Sequence, residues 1–463
     1  MASAAPLSAQ IQDASMTTPW NTTFGGPDFD RGWSIHAVED GVVLAGWTAS
    51  YGAGNADGWM LRLDDSGQEL WNHTYGREGN DRIVAMEPTP DGYILAGYTT
   101  SYGARFTDLW LVRTDKQGRE LWNQTYGGID YDQGWAICTV DDGFAVTGFT
   151  ASYGALNSNL WILRIDGQGR ELWNITFGGR ACETGFAIEA IDDGFAVAGY
   201  YESCGGPYDL WILATDGDGN ERWNRTYGGE GVEVARSMIV TDDGFALTGW
   251  TSTYGAGNRD CWLLITDSQG NEVTRRTYGG PGNDGGFSLA ATEEGYAIAG
   301  WTASYGSGGQ DLWLFSTDAD GDLQWEYHAG GPGNDVAYGM IHVDNRFLMI
   351  GITESYGAGR DDLWLLSLDD PQVSITPGGG IGMTIQVSSS GQEEINGAWT
   401  VSFDGWILPL EASGVIADLP PGGSTRVAVP TFGFGSVTAM ITFGDVQRRA
   451  AFVSLGPILV PVG

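Results

Sequence analysis

Lysine is almost absent. Lys116 is the only one; arginine supplies the rest of the 22 basic residues, against 59 acidic ones, for a net charge of −37. Phosphate recognition needs clusters of Lys and Arg, so this balance argues against nucleic acid as a partner and against an anionic membrane surface. No run of about 18 apolar residues occurs, so no segment reads as a membrane span. Met1 to Thr18 lacks the apolar stretch of a signal peptide and reads as a disordered lead. The only histidines are His36, His73, His328 and His342. None has zinc-motif spacing, which leaves zinc catalysis and a Ser-His-Asp triad without support. No segment keeps a helical period over ten residues. The 73 glycines follow no Gly-X-Y period, which excludes collagen and points to tight turns. An acidic, lysine-poor chain fits a salt-adapted organism, or simply solubility through self-repulsion.

What is present is repetition. Asp57-Gly58-Trp59 returns with its Trp at 110, 161, 211, 262, 313 and 364, at spacings of 51, 51, 50, 51, 51 and 51 residues. Such a period marks a solenoid, propeller or array. Each unit shows four short runs rich in β-branched and aromatic residues, separated by turn signals such as Asp141-Asp142-Gly143 and Asp166-Gly167-Gln168-Gly169. Four antiparallel strands per unit, seven times over, predict an all-β, seven-bladed β-propeller. Closing the ring removes the edges that an open stack would have to cap. The fourth-strand frame, Trp-Asn-x-Thr-aromatic-Gly, starts at Trp20 before the first unit and near 71, 122, 173, 223, 274 and 325 thereafter. The Trp20 copy is therefore expected to complete the last blade. Each second strand holds a Gly at one place: Gly46, Gly97, Gly148, Gly199, Gly249, Gly300 and Gly351. Close packing of a neighbouring blade against a Trp would account for it.

The period stops after Asp370. The expected organisation is a lead at 1–18, the propeller at 19–370, a Pro- and Gly-rich linker at 371–381 and a β-sandwich at 382–463, where short alternating runs recur.

The blade pattern resembles quinoprotein-type propellers. It is closer to secreted repeat propellers of methanogenic archaea and some bacteria, through Trp122-Asn123-Gln124-Thr125-Tyr126-Gly127-Gly128, Asp142-Gly143-Phe144-Ala145-Val146 and Asp311-Leu312-Trp313-Leu314. The C-terminal segment, with Leu419-Pro420-Pro421-Gly422-Gly423-Ser424 and Phe432-Gly433-Phe434-Gly435, is similar to an immunoglobulin-like module of such surface proteins. The resemblance implies an extracellular or cell-surface location and a binding or structural role, with no known active site. It departs from the quinone-dependent enzymes in having seven units rather than eight and no adjacent Cys pair.

On a propeller, the loops entering each first strand and those linking second to third strands share one face. That face would carry Tyr51, Tyr102, Tyr153, Tyr254, Tyr305 and Tyr356, with Asp30, Asp81, Asp132, Asp284 and Asp335. Loops on a rigid scaffold carry function, so these are the candidate ligand-binding residues. The expected ligand is a polysaccharide or another envelope protein, bound by a monomer. The alternative is a carbohydrate-active enzyme using two carboxylates of this face. Cys182 and Cys204 fall on it together and are expected to form a disulfide, leaving Cys138 and Cys261 free and buried. Asn21, Asn72, Asn123, Asn174 and Asn224 open N-x-T acceptor patterns for glycans. No cofactor is indicated. Asp216-Gly217-Asp218-Gly219-Asn220 and Asp318-Ala319-Asp320-Gly321-Asp322 resemble the start of a calcium loop without its closing Glu.

Overall fold

The structure is a computed structural model. It describes residues 20–463 except 104, 155–156, 203–205, 371–372, 379, 382, 390–394, 420–423, 444–445, 457 and 462–463. The expected lead and Cys204 lie outside the described residues. No helix among the described residues is long and apolar enough to cross a membrane.

Every element among the described residues is a strand. The first strands of the seven units are Asp30–Val38, Asp81–Thr89, Asp132–Val140, Glu183–Ile191, Glu233–Val240, Asp284–Ala291 and Asp335–Val343. The first six each begin a four-stranded antiparallel set in chain order, as in Asp132–Val140, Gly143–Thr150, Asn159–Asp166 and Glu171–Phe177. Each first strand packs beside the first strand of the next unit, and Asp335–Val343 packs beside Asp30–Val38. The result is a β-propeller fold whose innermost strands form a ring. In the last unit, Asp362–Asp369 pairs antiparallel with Asn21–Phe24, Asn21 facing Leu366 and Phe24 facing Leu363.

The recurring Trp of the third strand explains why the period holds. Trp110 is 1% exposed and packs with Val43 and Met60 of the preceding unit. Trp161 packs with Leu109 and Leu111. Trp59 packs with Leu348, Ile350 and Leu363 of the seventh unit, across the junction between the chain's first and last repeats. Each indole therefore belongs to the core between two units, and losing one to Ala should cost about 3–5 kcal/mol.

The second-strand glycines have a different cause from the expected Trp contact. A Cβ at Gly46 would sit 1.9 Å from the Arg31 carbonyl oxygen, at Gly148 1.9 Å from that of Gln133, and at Gly249 1.8 Å from that of Val234. Opposite each lies a β-bulge in the first strand, with register shifts at Gly32/Ser34, Gly134/Ala136 and Ala235/Ser237. The bulge pushes the first-strand backbone toward its neighbour, and only Gly leaves room for it.

The chain divides into two compact units. One comprises residues 1–292, 298–313 and 329–368; the other comprises 293–297, 314–328 and 369–463. In the second, Val373–Gly378, Met383–Ser389 and Ser424–Val429 form one antiparallel sheet. Glu411–Leu419, Ile395–Leu408, Phe432–Phe443, Val446–Gly456 and Ile458–Pro461 follow one another in another sheet. The segment expected as a linker is thus mostly strand: Val373–Gly378 pairs along its length with Met383–Ser389. Pro377 suggested a break, but this strand lies at a sheet edge, where a missing N–H is tolerated.

The pairing at the chain's start yields the first prediction. Trp20 is 4% exposed, and the Trp364 indole N–H donates to Asn21 Oδ1 at 2.8 Å. Deleting residues 1–26 should lower the melting temperature sharply, and Trp20→Ala alone should cost about 3–5 kcal/mol in chemical denaturation. An unchanged melting curve for the deletion would show that this strand contributes nothing to the last unit's stability.

Candidate functional site

The loop face is built on buried carboxylates. Asp30, Asp81, Asp132, Asp284 and Asp335 are all 0% exposed, so they do not offer themselves to a ligand. In each, one oxygen accepts from the Thr that ends the second strand, Thr48 to Asp30 and Thr150 to Asp132 among them. The other oxygen accepts from the backbone of the entering loop, from Gly128 N at 2.8 Å for Asp132, and from Ser152 Oγ at 2.6 Å. One carboxylate thus ties together the two loops that were expected to display it.

Glu183 and Glu233 hold the same place in units four and five and were not anticipated. Glu233 keeps the Thr partner, Thr251 at 2.9 Å. Unit four has Tyr201 where the others have Thr, and Glu183 Oε1 is left without a partner, its carboxyl raised by burial. The glycine of the aromatic-Gly signature fits between two such acids. A Cβ on Gly76 would lie 2.5 Å from Asp57 Oδ1 and 2.6 Å from Asp81 Oδ2, and its φ of +140° is one that side chains rarely adopt.

The tyrosines are held rigidly. The hydroxyls of Tyr51, Tyr153, Tyr254, Tyr305 and Tyr356 donate to carbonyls of the entering loops at 2.7–2.9 Å. Tyr102 instead lies 4.5 Å from the Arg77 guanidinium. Each ring leans on the recurring Trp of its own unit, Tyr51 on Trp59 with centroids 5.8 Å apart. Tyr51, Tyr153 and Tyr356 remain 41–48% exposed. Beside them is a patch that the repeat pattern did not reveal. Tyr131 is 46% exposed and stacks on Phe106 at 4.6 Å, and Ile129 is 83% exposed.

Other sequence candidates have structural duties. Cys182 is a free, half-buried thiol, so the expected pairing with Cys204 is not found; Cys138 and Cys261 are free and buried. Asn123, Asn174 and Asn224 accept the indole N–H of the buried Trp, Trp161 to Asn174 Oδ1 at 3.2 Å, and Asn21 accepts that of Trp364; Asn72, Asn123, Asn174 and Asn224 donate to a Glu three residues earlier. Trp262 Nε1, where Arg275 replaces Asn, is unpaired, and so is Trp59 Nε1 in the unit that keeps Asn72. The Asp-Gly-Asp turn closes on itself, Asp216 Oδ1 accepting from Asp218 N and Asn220 N, and these bonds together with the Asn220 side chain hold its carboxyl below the usual range. No grouping of three or more metal-ligating side chains occurs among the described residues.

The axis carries the less expected chemistry. The bulged position of each first strand holds Trp33, Val84, Trp135, Phe186, Arg236, Phe287 or Tyr338. These side chains meet across non-adjacent units, which places them on the axis. Trp33 lies 6.2 Å from Trp135 and stacks on Tyr338 at 4.4 Å and 7°. The Arg236 guanidinium sits 4.1 Å from the Phe186 centroid, 5.0 Å from Phe287 and 5.8 Å from Trp135. It forms no ion pair with a described residue. Burial pushes it down to about 10, so it is still a cation at neutral pH. Cation–π contacts return up to about 2 kcal/mol each when desolvated, whereas desolvating an ion costs several.

Three residues further along the same strands lie His36, Glu87, Cys138 and Glu189, in units one to four. His36 Nε2 meets Met86 O at 2.7 Å, and burial lowers its pKa. Burial, aided by the Glu189 charge, pushes Glu87 up to about 8; burial pushes Glu189 up to about 7. The Cys138 thiol is raised by burial and by both glutamates. A column-by-column comparison of the repeats would have found this layer, because units five to seven carry Ile239, Ala290 and Ile341 there.

No protein-family model matches the sequence, and no curated protein does. Among solved structures, the chain is similar to a putative 6-phosphogluconolactonase from Bacteroides fragilis at 12% identity and a TM-score of 0.42, covering 83% of this chain and 97% of that one. It is also similar to the Pyrococcus horikoshii acylaminoacyl peptidase at 11% identity and a TM-score of 0.40, covering 79% of this chain and 59% of that one. An exo-β-1,3-galactanase from Phanerochaete chrysosporium aligns at 9% identity and a TM-score of 0.31, covering 70% and 94%.

Proposed function

We propose that this protein is an extracytoplasmic binding protein of the cell envelope. It holds a polysaccharide or another surface protein on the loop face of a seven-bladed propeller closed by its N-terminal strand. An immunoglobulin-like β-sandwich follows the propeller, and the protein acts as a monomer. The observation that carries the reading is the stack of the exposed Tyr131 on the half-buried Phe106, flanked by Ile129. Aromatic rings offer flat apolar faces to sugar rings, and loops already pinned by buried carboxylates lose little entropy on binding. Glycans on the exposed Asn21, Asn72, Asn174 and Asn224 belong to the same reading.

Replacing Tyr131 and Phe106 together by Ala should weaken binding to purified envelope polysaccharide about tenfold, roughly 1.4 kcal/mol, with an unchanged melting temperature. Undiminished binding by a folded double variant would remove this patch as the contact surface.

A second reading, a carbohydrate-active enzyme, is favoured by one specific observation. Glu87 and Glu189 are two acids of the first strands with raised pKa values, and they replace the loop-face aspartates as candidates for the two carboxyl groups that glycoside hydrolysis uses. Glu87 at about 8 would be the protonated acid at neutral pH and Glu189 at about 7 the partner base. The same shifts fix a pH dependence. Between the ordinary carboxylate range and about 8 the folded state holds protons that the unfolded chain has lost. The stability linked to these groups is therefore full at low pH and lost as pH rises through about 7 and 8. Glu87→Gln with Glu189→Gln should flatten the decline between pH 5 and 8 in urea unfolding. Parallel pH profiles for parent and double variant would place both acids in solvent-like surroundings and sink the enzymatic reading.

A further inference from the structure

We propose that the axial Arg236 is the anchor of an anion site, and that its ligand is a carboxylate, either the acid group of a uronic sugar or a small free carboxylic acid. The site stands apart from the Tyr131 patch and does not depend on it.

In a chain of net charge −37, arginines are few, and carboxylates are abundant enough to pair them. Arg113 and Arg164 are paired with Asp91 and Asp142. Arg236 is on the axis, half-buried, among Phe186, Phe287, Trp135 and Trp250, with no carboxylate paired to it among the described residues. An uncompensated cation in such a place is costly unless an anion completes it.

The surroundings add donors without acceptors. The indole Nε1 atoms of Trp135 and Trp250, whose rings flank Arg236, are buried and unpartnered, as is that of Trp33, which packs on Trp135. Arg31 is paired with Asp361 at 2.6 Å, and its charge still reaches the Tyr338 hydroxyl, as does that of Arg236. Arg82 lies 4.3 Å from the Trp47 ring and donates to Tyr98 OH at 3.2 Å. A set of N–H groups with nothing to donate to is what an anion needs. The planar guanidinium fork selects a carboxylate, which it can grip with two parallel bonds, and the aromatic walls suit a ligand whose body is a ring.

The chemistry also explains the difference between Arg236 and its six counterparts. The bulged position holds an aromatic ring in five other units and Val84 in one. A position that only filled the axis would serve as well with a sixth aromatic.

The test is isothermal titration calorimetry on the full chain with glucuronate, acetate and glucose at fixed ionic strength. Glucuronate should bind at one site and glucose should not. Arg236→Met, which keeps the stem and removes the charge, should weaken binding at least tenfold. Arg236→Lys, which keeps the charge and loses the fork, should fall between. Glucuronate binding tighter than acetate would identify an acidic sugar, and equal affinity a simple carboxylate. Tyr131→Ala should leave the titration unchanged. No saturable heat from either carboxylate with the parent, or binding that survives in Arg236→Met, would overturn the proposal. Should Arg236→Met fail to fold, the parent supplies the second measurement: glucuronate should raise its melting temperature and glucose should not, and equal effects would overturn the site.

Discussion

Much of this structure depends on one steric fact, the absence of a side chain at a single place in each second strand. With Gly46, Gly148 or Gly249 there, the opposing carbonyl can approach to a distance that any Cβ would block. That approach is what a β-bulge in the first strand requires, and the bulge leaves one residue out of the ladder. The unpaired residues are those that meet on the axis, from Trp33 to Tyr338. A glycine that looks like a packing detail in one strand therefore determines what occupies the centre of the ring.

Acids serve the scaffold in the same way. The repeat places a carboxylate at the head of every first strand, and folding buries it where two loops meet. Except in unit four, where Tyr201 stands in place of the Thr, each is kept there by a Thr hydroxyl and loop N–H groups, and removing one would strand several buried donors at about 1–3 kcal/mol apiece. Surface loops usually tolerate change, but these are bolted to the core, which is why the Tyr rings stand at fixed positions.

The architecture was legible because its causes are periodic. A Trp every 51 residues, turn signals between short apolar runs and a displaced fourth strand at Trp20 are all local features that a sequence displays. The loop-face site was legible only in part. Nothing local distinguishes an aspartate that faces solvent from one that caps a buried loop. The partner Thr48 lies 18 residues from Asp30 and meets it only through strand pairing. Nor could composition show that Val373–Gly378 is a strand, since Pro377 is acceptable only because that strand is an edge.

What the repeat shares is scaffold, and what single units change is where specific chemistry can enter. Seven equivalent positions with the same residue must satisfy the same local contacts, as the second-strand glycines do. A position where one unit departs is released from that duty. Arg236 among aromatic rings is such a departure, and so are Glu87 and Glu189 in a column that is apolar in units five to seven. Both groups are costly in isolation, one as a cation without a paired carboxylate and the other as acids driven toward their neutral form by burial. Neither is needed to close the ring, because other units close it without them. In a repeat protein, then, chemical asymmetry at the axis points to function more sharply than the most regular feature of the sequence.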